Sequence, residues 1–321
     1  MSPRARVALV VAVFAVAAGA AVAGVAVVTG GEPPKTASLH PRKGSPPLVL
    51  DLGIRTDPEA NALRRAAALY NGGKHRPAAR IFARSGSVPA QVGLAFASWP
   101  GGLSRLGAIA EAHRRSAFVL LHLGLGLFWA GRNAEALAAW RRAERVDPDT
   151  PSAVAADDLL HPNFPRGLPA FVPSFSPSPR IERLPPARQL AALAQAAAAD
   201  GARAKLLYGV TLQHLGHPVS AERWFARAAT QAPGSAEAQV AADVGRFTKA
   251  DPSRAFSRLG PLVRRFPHAP TVRFHLGLLL LWLGRVDAAK MELRRAEREG
   301  PTTPIGREAG RFLARIESIK K

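Results

Sequence analysis

The apolar positions of this chain follow a helical spacing over most of its length, and the spacing itself repeats. Small and large apolar residues recur three and four residues apart, and Gly or Pro separates successive segments, as expected where one helix ends and the next begins. Pro233, Pro267 and Pro301 lie 34 residues apart, and each closes a pair of such segments. The pattern predicts an all-α chain of paired antiparallel helices.

Three units share the same internal intervals. Twelve residues separate a glycine from an alanine, a large apolar residue follows after four, a second alanine after three and a proline after five. The residues are Gly124, Ala136, Trp140, Ala143 and Pro148; Gly209, Ala221, Phe225, Ala228 and Pro233; and Gly277, Ala289, Leu293, Ala296 and Pro301. We expect the glycine to let two helices approach closely and the large residue to fill the space between them. A second glycine (Gly131, Gly216 or Gly284) is expected to end the first helix in a left-handed conformation.

On these residues the chain resembles the tetratricopeptide repeat (TPR) family, whose order of small, large, small and proline occurs three times in register. The resemblance implies a right-handed superhelical solenoid that binds proteins and has no enzymatic activity. Weaker units are predicted at Leu63–Arg84, Val88–Ala112 and Ser235–Pro267, and a capping helix at Ile305–Ile319.

A duplication indicates two related lobes. His122-Leu123-Gly124-Leu125 recurs as His275-Leu276-Gly277-Leu278, 153 residues later. Two equivalent histidines could meet a metal or a carboxylate, but a satisfied, half-buried histidine inherited by duplication is the preferred interpretation. The predicted organisation is a cytoplasmic stub at 1–6, a transmembrane anchor or signal sequence at 7–28, a linker at 29–54, lobes at 55–150 and 201–303, an insertion with flanking helices at 151–200 and a cap at 304–321.

The amino-terminal run from Val7 to Val28 is uncharged over 22 residues, or about 33 Å of helix, which is enough to cross a bilayer. Arg4 and Arg6 precede it, which favours a cytoplasmic amino terminus and an extracytoplasmic carboxyl-terminal domain. We expect a single-pass membrane anchor; secretion after cleavage of a signal sequence is the alternative. The linker, rich in Gly and Pro, is expected not to pack on the repeats.

The insertion from His161 to Pro186 contains eight prolines together with Phe164, Phe171 and Phe175. A disordered segment would be poorer in aromatic residues, so order is expected. Two arrangements remain open. The insertion packs on the outside of the solenoid, or it lies in the protein's own groove as an internal plug.

In the TPR family the first helices of successive units line the concave surface, and the resemblance implies a strongly apolar peptide-binding groove here. Its predicted residues are Leu121, Leu125, Phe128, Leu206, Val210, Gln213, Phe274, Leu278 and Leu281. Some family members hold a terminal carboxylate through an Asn on this face, but this chain has Leu125, Val210 and Leu278 at those places. An apolar helix or an extended peptide of a protein partner is therefore the expected ligand.

Charge adds a second hypothesis. The net charge is +21, made mostly by Arg, so anionic lipids or cell-wall polymers are alternative partners of a basic surface module. Nucleic acid is not expected, because no binding motif is visible. Cysteine is absent, and the sequence contains no phosphate loop, metalloprotease helix or nucleophile elbow. We therefore predict no cofactor, metal or catalytic residue, and leave a homodimer open.

Overall fold

The computed structural model describes residues 41–199 and 201–318, and their regular structure is helical throughout. Clustering of contacts divides the described residues into two compact units, residues 41–160 and residues 161–318, called here the first and the second unit. The predicted membrane anchor at 7–28 and most of the linker lie outside the described residues. No helix within the described ranges combines the length and the apolar character needed to cross a bilayer.

The first unit consists of an irregular amino-terminal segment followed by helices that pack on their neighbours in chain order. The helices are α1 (Pro58–Asn71), α2 (His75–Phe82), α3 (Val88–Ala97), α4 (Leu103–Ala112), α5 (Ala117–Trp129), α6 (Asn133–Val146) and α7 (Pro151–Leu160). Short connections make α1–α2, α3–α4 and α5–α6 antiparallel pairs. Helix α7 packs on both α5 and α6.

The second unit repeats this plan after a proline-rich segment and two leading helices. Its helices are α8 (Pro179–Glu182), α9 (Pro186–Ala199), α10 (Ala202–His214), α11 (Pro218–Gln231), α12 (Ala236–Gly245), α13 (Ser253–Arg265), α14 (Pro270–Trp282), α15 (Val286–Glu299) and α16 (Pro304–Ser318). The pairs are α10–α11, α12–α13 and α14–α15, and α16 packs on α14 and α15. Helix pairs lie where the weaker units were predicted, and α16 lies where the cap was predicted.

Two kinds of glycine have the roles that the repeat intervals predicted: one allows close approach of two helices, and the other ends the first helix. A side-chain carbon added at Gly124, Gly209 or Gly277 would overlap the large residue on the second helix of the same pair, so only glycine allows the two helices to lie so close. Those large residues are, in the same order, Trp140, Phe225 and Leu293. The second glycines adopt positive φ where the first helix ends, at 80° for Gly131, 75° for Gly216 and 68° for Gly284. Gly73 does the same after α1, with φ at 77°.

Candidate functional site

Each unit holds a proline-containing segment of its own chain against its helices. We call residues 45–50 the first segment and residues 168–175 the second segment. They align as Pro46-Pro47-Leu48-Val49 and Pro169-Ala170-Phe171-Val172, so both read proline, any residue, a large apolar residue, valine. Proline fixes its own φ and restricts the preceding residue to extended conformations, which keeps both segments from becoming helical.

The carbonyl of the first proline in each motif accepts a hydrogen bond from the first helix of the first helix pair in its unit, α1 or α10. The Tyr70 hydroxyl donates to the Pro46 oxygen at 2.7 Å, and Gln213 Nε2 donates to the Pro169 oxygen at 3.0 Å. Tyr70 and Gln213 occupy the same structural position, because each lies three residues before the left-handed glycine that follows its helix. The two units therefore bind the proline carbonyl of the motif from equivalent helix positions.

The large apolar residue of each motif is held by a side-chain carboxamide. The Leu48 backbone N–H donates to Asn71 Oδ1 at 3.0 Å, and Asn71 Nδ2 donates back to the Leu48 oxygen at 2.9 Å. In the second unit the Phe171 N–H donates to Gln213 Oε1 at 3.0 Å. Gln213 thus bonds to two backbone groups of its segment, whereas Tyr70 and Asn71 divide this role in the first unit.

The valine of each motif donates its backbone N–H to a buried histidine on the first helix of the third pair. The distance from Val49 N to His122 Nε2 is 3.3 Å, and that from Val172 N to His275 Nε2 is 2.9 Å. The Nδ1 atoms lie 2.7 Å from the carbonyl oxygens of Phe118 and Thr271, one turn earlier. Nδ1 therefore carries the proton, which leaves the Nε2 lone pair free to accept.

Burial keeps both histidines in the neutral form that accepts the valine N–H. His122 and His275 are almost completely enclosed, and the cost of desolvating an imidazolium lowers the pKa of both to about 4. The rings are therefore neutral near pH 7 and act as acceptors rather than as cations. Each histidine is satisfied, as expected, but it is fully buried rather than half-buried, and its partner lies in a segment outside the predicted lobe.

The large apolar side chain of each motif fills a closed site, but the two sites differ. Phe171 is fully buried, stacks on the His275 ring at a centroid distance of 5.0 Å and meets Phe225 edge-on at 5.7 Å. Leu48 is also buried, yet the ring nearest His122 comes from the scaffold. Phe96 on α3 lies 5.3 Å from His122 and Phe118 lies 4.3 Å from it. Each site thus bonds to the main chain of its segment and encloses one apolar side chain.

The residues predicted to line an open groove are mostly covered. Seven are buried, namely Leu121, Leu125, Leu206, Val210, Phe274, Leu278 and Leu281, while Phe128 and Gln213 are half-buried. Leu121 and Leu125 belong to the same apolar cluster as Leu48. Leu206 and Val210 belong to the same cluster as Phe171. Val172 packs on a third cluster, which contains Phe274, Leu278 and Leu281. Gln213 binds the second segment directly, and the Arg42 guanidinium lies 3.8 Å from the centre of the Phe128 ring.

The contacts bear on the two arrangements left open for the insertion. Residues 169–172 bond to α10 and α14, two helices that carry residues predicted to line the groove, as an internal plug would. The expectation that the linker would not pack is wrong for the first segment, because Pro46 and Leu48 are buried. Composition predicted a free chain, but a buried side chain and bonds to Tyr70, Asn71 and His122 hold this segment in place.

Sequence reasoning missed Tyr70, Asn71 and Leu48 as functional residues, and it did not connect the histidines with the proline-rich segments. One signal was present. The motif of proline, any residue, Leu or Phe, and valine occurs once before each lobe. Four residues within proline-rich sequence are a weak signal until the bonding pattern shows that both copies are used in the same way.

No protein-family model matches the sequence, and no curated protein matches it. Among solved structures, a TPR protein from Parabacteroides merdae is similar at 12% identity and a TM-score of 0.34, over 81% of this chain and 98% of that one. The yeast Sti1 TPR2AB domain in a pHSP90 complex is similar at 11% identity and a TM-score of 0.30, over 81% and 98%.

Yeast Tom70 is similar at 10% identity and a TM-score of 0.31, over 86% of this chain and 68% of that one. Likeness at this level carries no argument about function. The helix pairs of this chain, with their close-contact and left-handed glycines, carry the resemblance instead. Over the residues that the structure describes, the chain is thus an all-helical repeat array, similar in architecture to tetratricopeptide repeat proteins.

Proposed function

We propose that this protein is a non-catalytic adaptor that binds other proteins by holding their extended segments along the first helices of its repeats. The observation that carries the proposal is the pair of intrachain complexes. In each unit a carboxamide and a neutral histidine bind backbone groups of a non-helical segment. Because such bonds are made to the main chain, the same groups can accept a segment from another protein.

The proposed setting is the outer face of a membrane. The support is the uncharged run at 7–28 preceded by Arg4 and Arg6, which suits an anchor with the repeats on the extracytoplasmic side. In that position the adaptor would meet segments of proteins held at the same surface. Its positive charge would favour acidic regions of those partners near the site.

The test uses the full-length protein as bait in native envelope extract, at low and at high salt, with two variants that act in opposite directions. Phe171→Ala weakens the protein's own segment but leaves the groups that would hold a partner. Gln213→Leu removes two bonds that either occupant would need. We expect a discrete protein whose capture rises with Phe171→Ala and falls with Gln213→Leu at both salt concentrations.

Opposite responses exclude a general loss of folding, because both substitutions remove contacts from the same unit and a folding defect would lower capture in both. Met291→Gln is the matched control, since Met291 is 55% exposed on α15. Capture that is equal in all variants and disappears as salt rises would reject the proposal. That result would assign the function to a basic surface that binds anionic lipids or polymers.

A further inference from the structure

We propose that the segment bound by the second unit carries the sequence proline, any residue, aromatic residue, valine, and that the protein's own second segment occupies the site as its built-in competitor. This inference rests on the proposed function and specifies the ligand. It is drawn from residues 169–172, which the unit already binds in this register.

The proline is favoured for two reasons. Its carbonyl accepts the hydrogen bond from Gln213 Nε2, and its ring prevents the segment from becoming helical before it binds. The first unit has a proline at the same place, with its carbonyl bonded to Tyr70. Two independent copies of the site thus use proline two residues before the large apolar residue.

The preference for an aromatic residue comes from His275. The Phe171 ring lies against the imidazole with an angle of only 21° between the planes, and Phe225 closes the site edge-on. In the first unit Phe96 and Phe118 lie against the equivalent His122, and the segment supplies only a leucine. The second unit therefore selects an aromatic side chain and the first unit an aliphatic one.

The valine is defined by its backbone as much as by its side chain. Its N–H is the donor to His275 Nε2, so proline cannot replace it without leaving a buried acceptor unsatisfied. The Val172 side chain packs on the apolar cluster of Phe274, Leu278 and Ile305. A branched aliphatic residue fits that surface.

The experiment measures binding of synthetic peptides to the full-length Phe171→Ala protein by fluorescence anisotropy. The reference peptide has the sequence of residues 167–176, Gly-Leu-Pro-Ala-Phe-Val-Pro-Ser-Phe-Ser. Three matched peptides carry N-methylvaline for valine, leucine for phenylalanine, or the same residues in scrambled order. We expect saturable binding of the reference peptide and about tenfold weaker binding of the N-methyl peptide, which lacks only the donor to His275.

We expect the leucine peptide also to bind roughly tenfold more weakly, and the scrambled peptide not to saturate. Equal binding of the reference and N-methyl peptides, or no saturable binding of the reference peptide at any soluble concentration, would overturn the inference. If Phe171→Ala loses helicity by circular dichroism, Val172→Pro replaces it, since that change removes the competitor's N–H and its valine side chain but leaves Phe171 in place. Capture of a partner that depends on Gln213, without peptide binding, would reject the motif and keep the adaptor.

Discussion

The two units hold their segments through the same kinds of contact, but different residues supply those contacts. In the first unit the scaffold supplies most of the site, because Tyr70, Asn71 and Phe96 surround the segment and the segment adds a leucine. In the second unit Gln213 alone holds the two backbone groups, and the segment itself supplies the ring against His275. The second site is therefore less complete without its occupant than the first.

This difference sets how much of each site stays in place when its segment leaves. A segment that contributes a small part of its site can leave with little change in the helices around it. A segment that covers a buried histidine leaves that ring exposed, so its departure has a cost unless another aromatic residue replaces it. The comparison predicts that equivalent substitutions have larger effects in the second unit than in the first.

The largest difference is expected for the buried apolar residues. Phe171→Ala should lower the stability of the second unit by about 4 kcal/mol, and Leu48→Ala that of the first by about 3 kcal/mol, because each leaves a cavity in proportion to the side chain removed. Hydrogen exchange followed by mass spectrometry reports each unit separately. An equal or larger effect of Leu48→Ala would contradict the comparison.

The pH dependence should be the same in the two units. The unfolded chain protonates its histidines near pH 6.5, whereas folding holds the pKa of His122 and His275 at about 4. Stability is thus complete above about pH 6.5 and falls as the pH drops towards 4, by about 3 kcal/mol for each histidine. Urea unfolding across this range should show that His275→Gln and His122→Gln each remove one histidine's part, about 3 kcal/mol, of this pH-dependent loss of stability. A variant that keeps the full dependence would show that its histidine is not protected by burial.

A smaller effect is expected for the carboxamides. Gln213→Leu should cost about 2 kcal/mol, because it leaves two backbone groups of the second segment without partners. Asn71→Leu also removes two bonds, to the Leu48 N–H and carbonyl, but should cost only about 1 kcal/mol, because Asn71 is exposed and water can take its place. Exchange rates of the segment amides provide the measurement, and Asn71→Leu combined with Tyr70→Phe should match Gln213→Leu. If the combination has no more effect than Asn71→Leu alone, the two residues do not share the role of Gln213.

The fold could be predicted because its signals are local. The interval from Gly209 to Phe225 lies within one helix pair, and the left-handed glycine follows its helix directly. The predicted cap at 305–319 differs from the observed Pro304–Ser318 by one residue at each end. The site could not be predicted in the same way. Val172 and its acceptor His275 are 103 residues apart, and periodicity describes only neighbours within an element.

The tethering of the second segment sets a threshold for any competitor. A segment joined to its site by a short chain is present there at an effective concentration of the order of millimolar. An external segment that makes only the same contacts, present at about one micromolar, would hold roughly one site in a thousand. A partner must therefore add contacts outside residues 169–172, or be crowded beside the protein on one surface. Under the proposed function, the bound second segment would make binding depend on the local density of the partner, and dilute copies of the same peptide would not displace it.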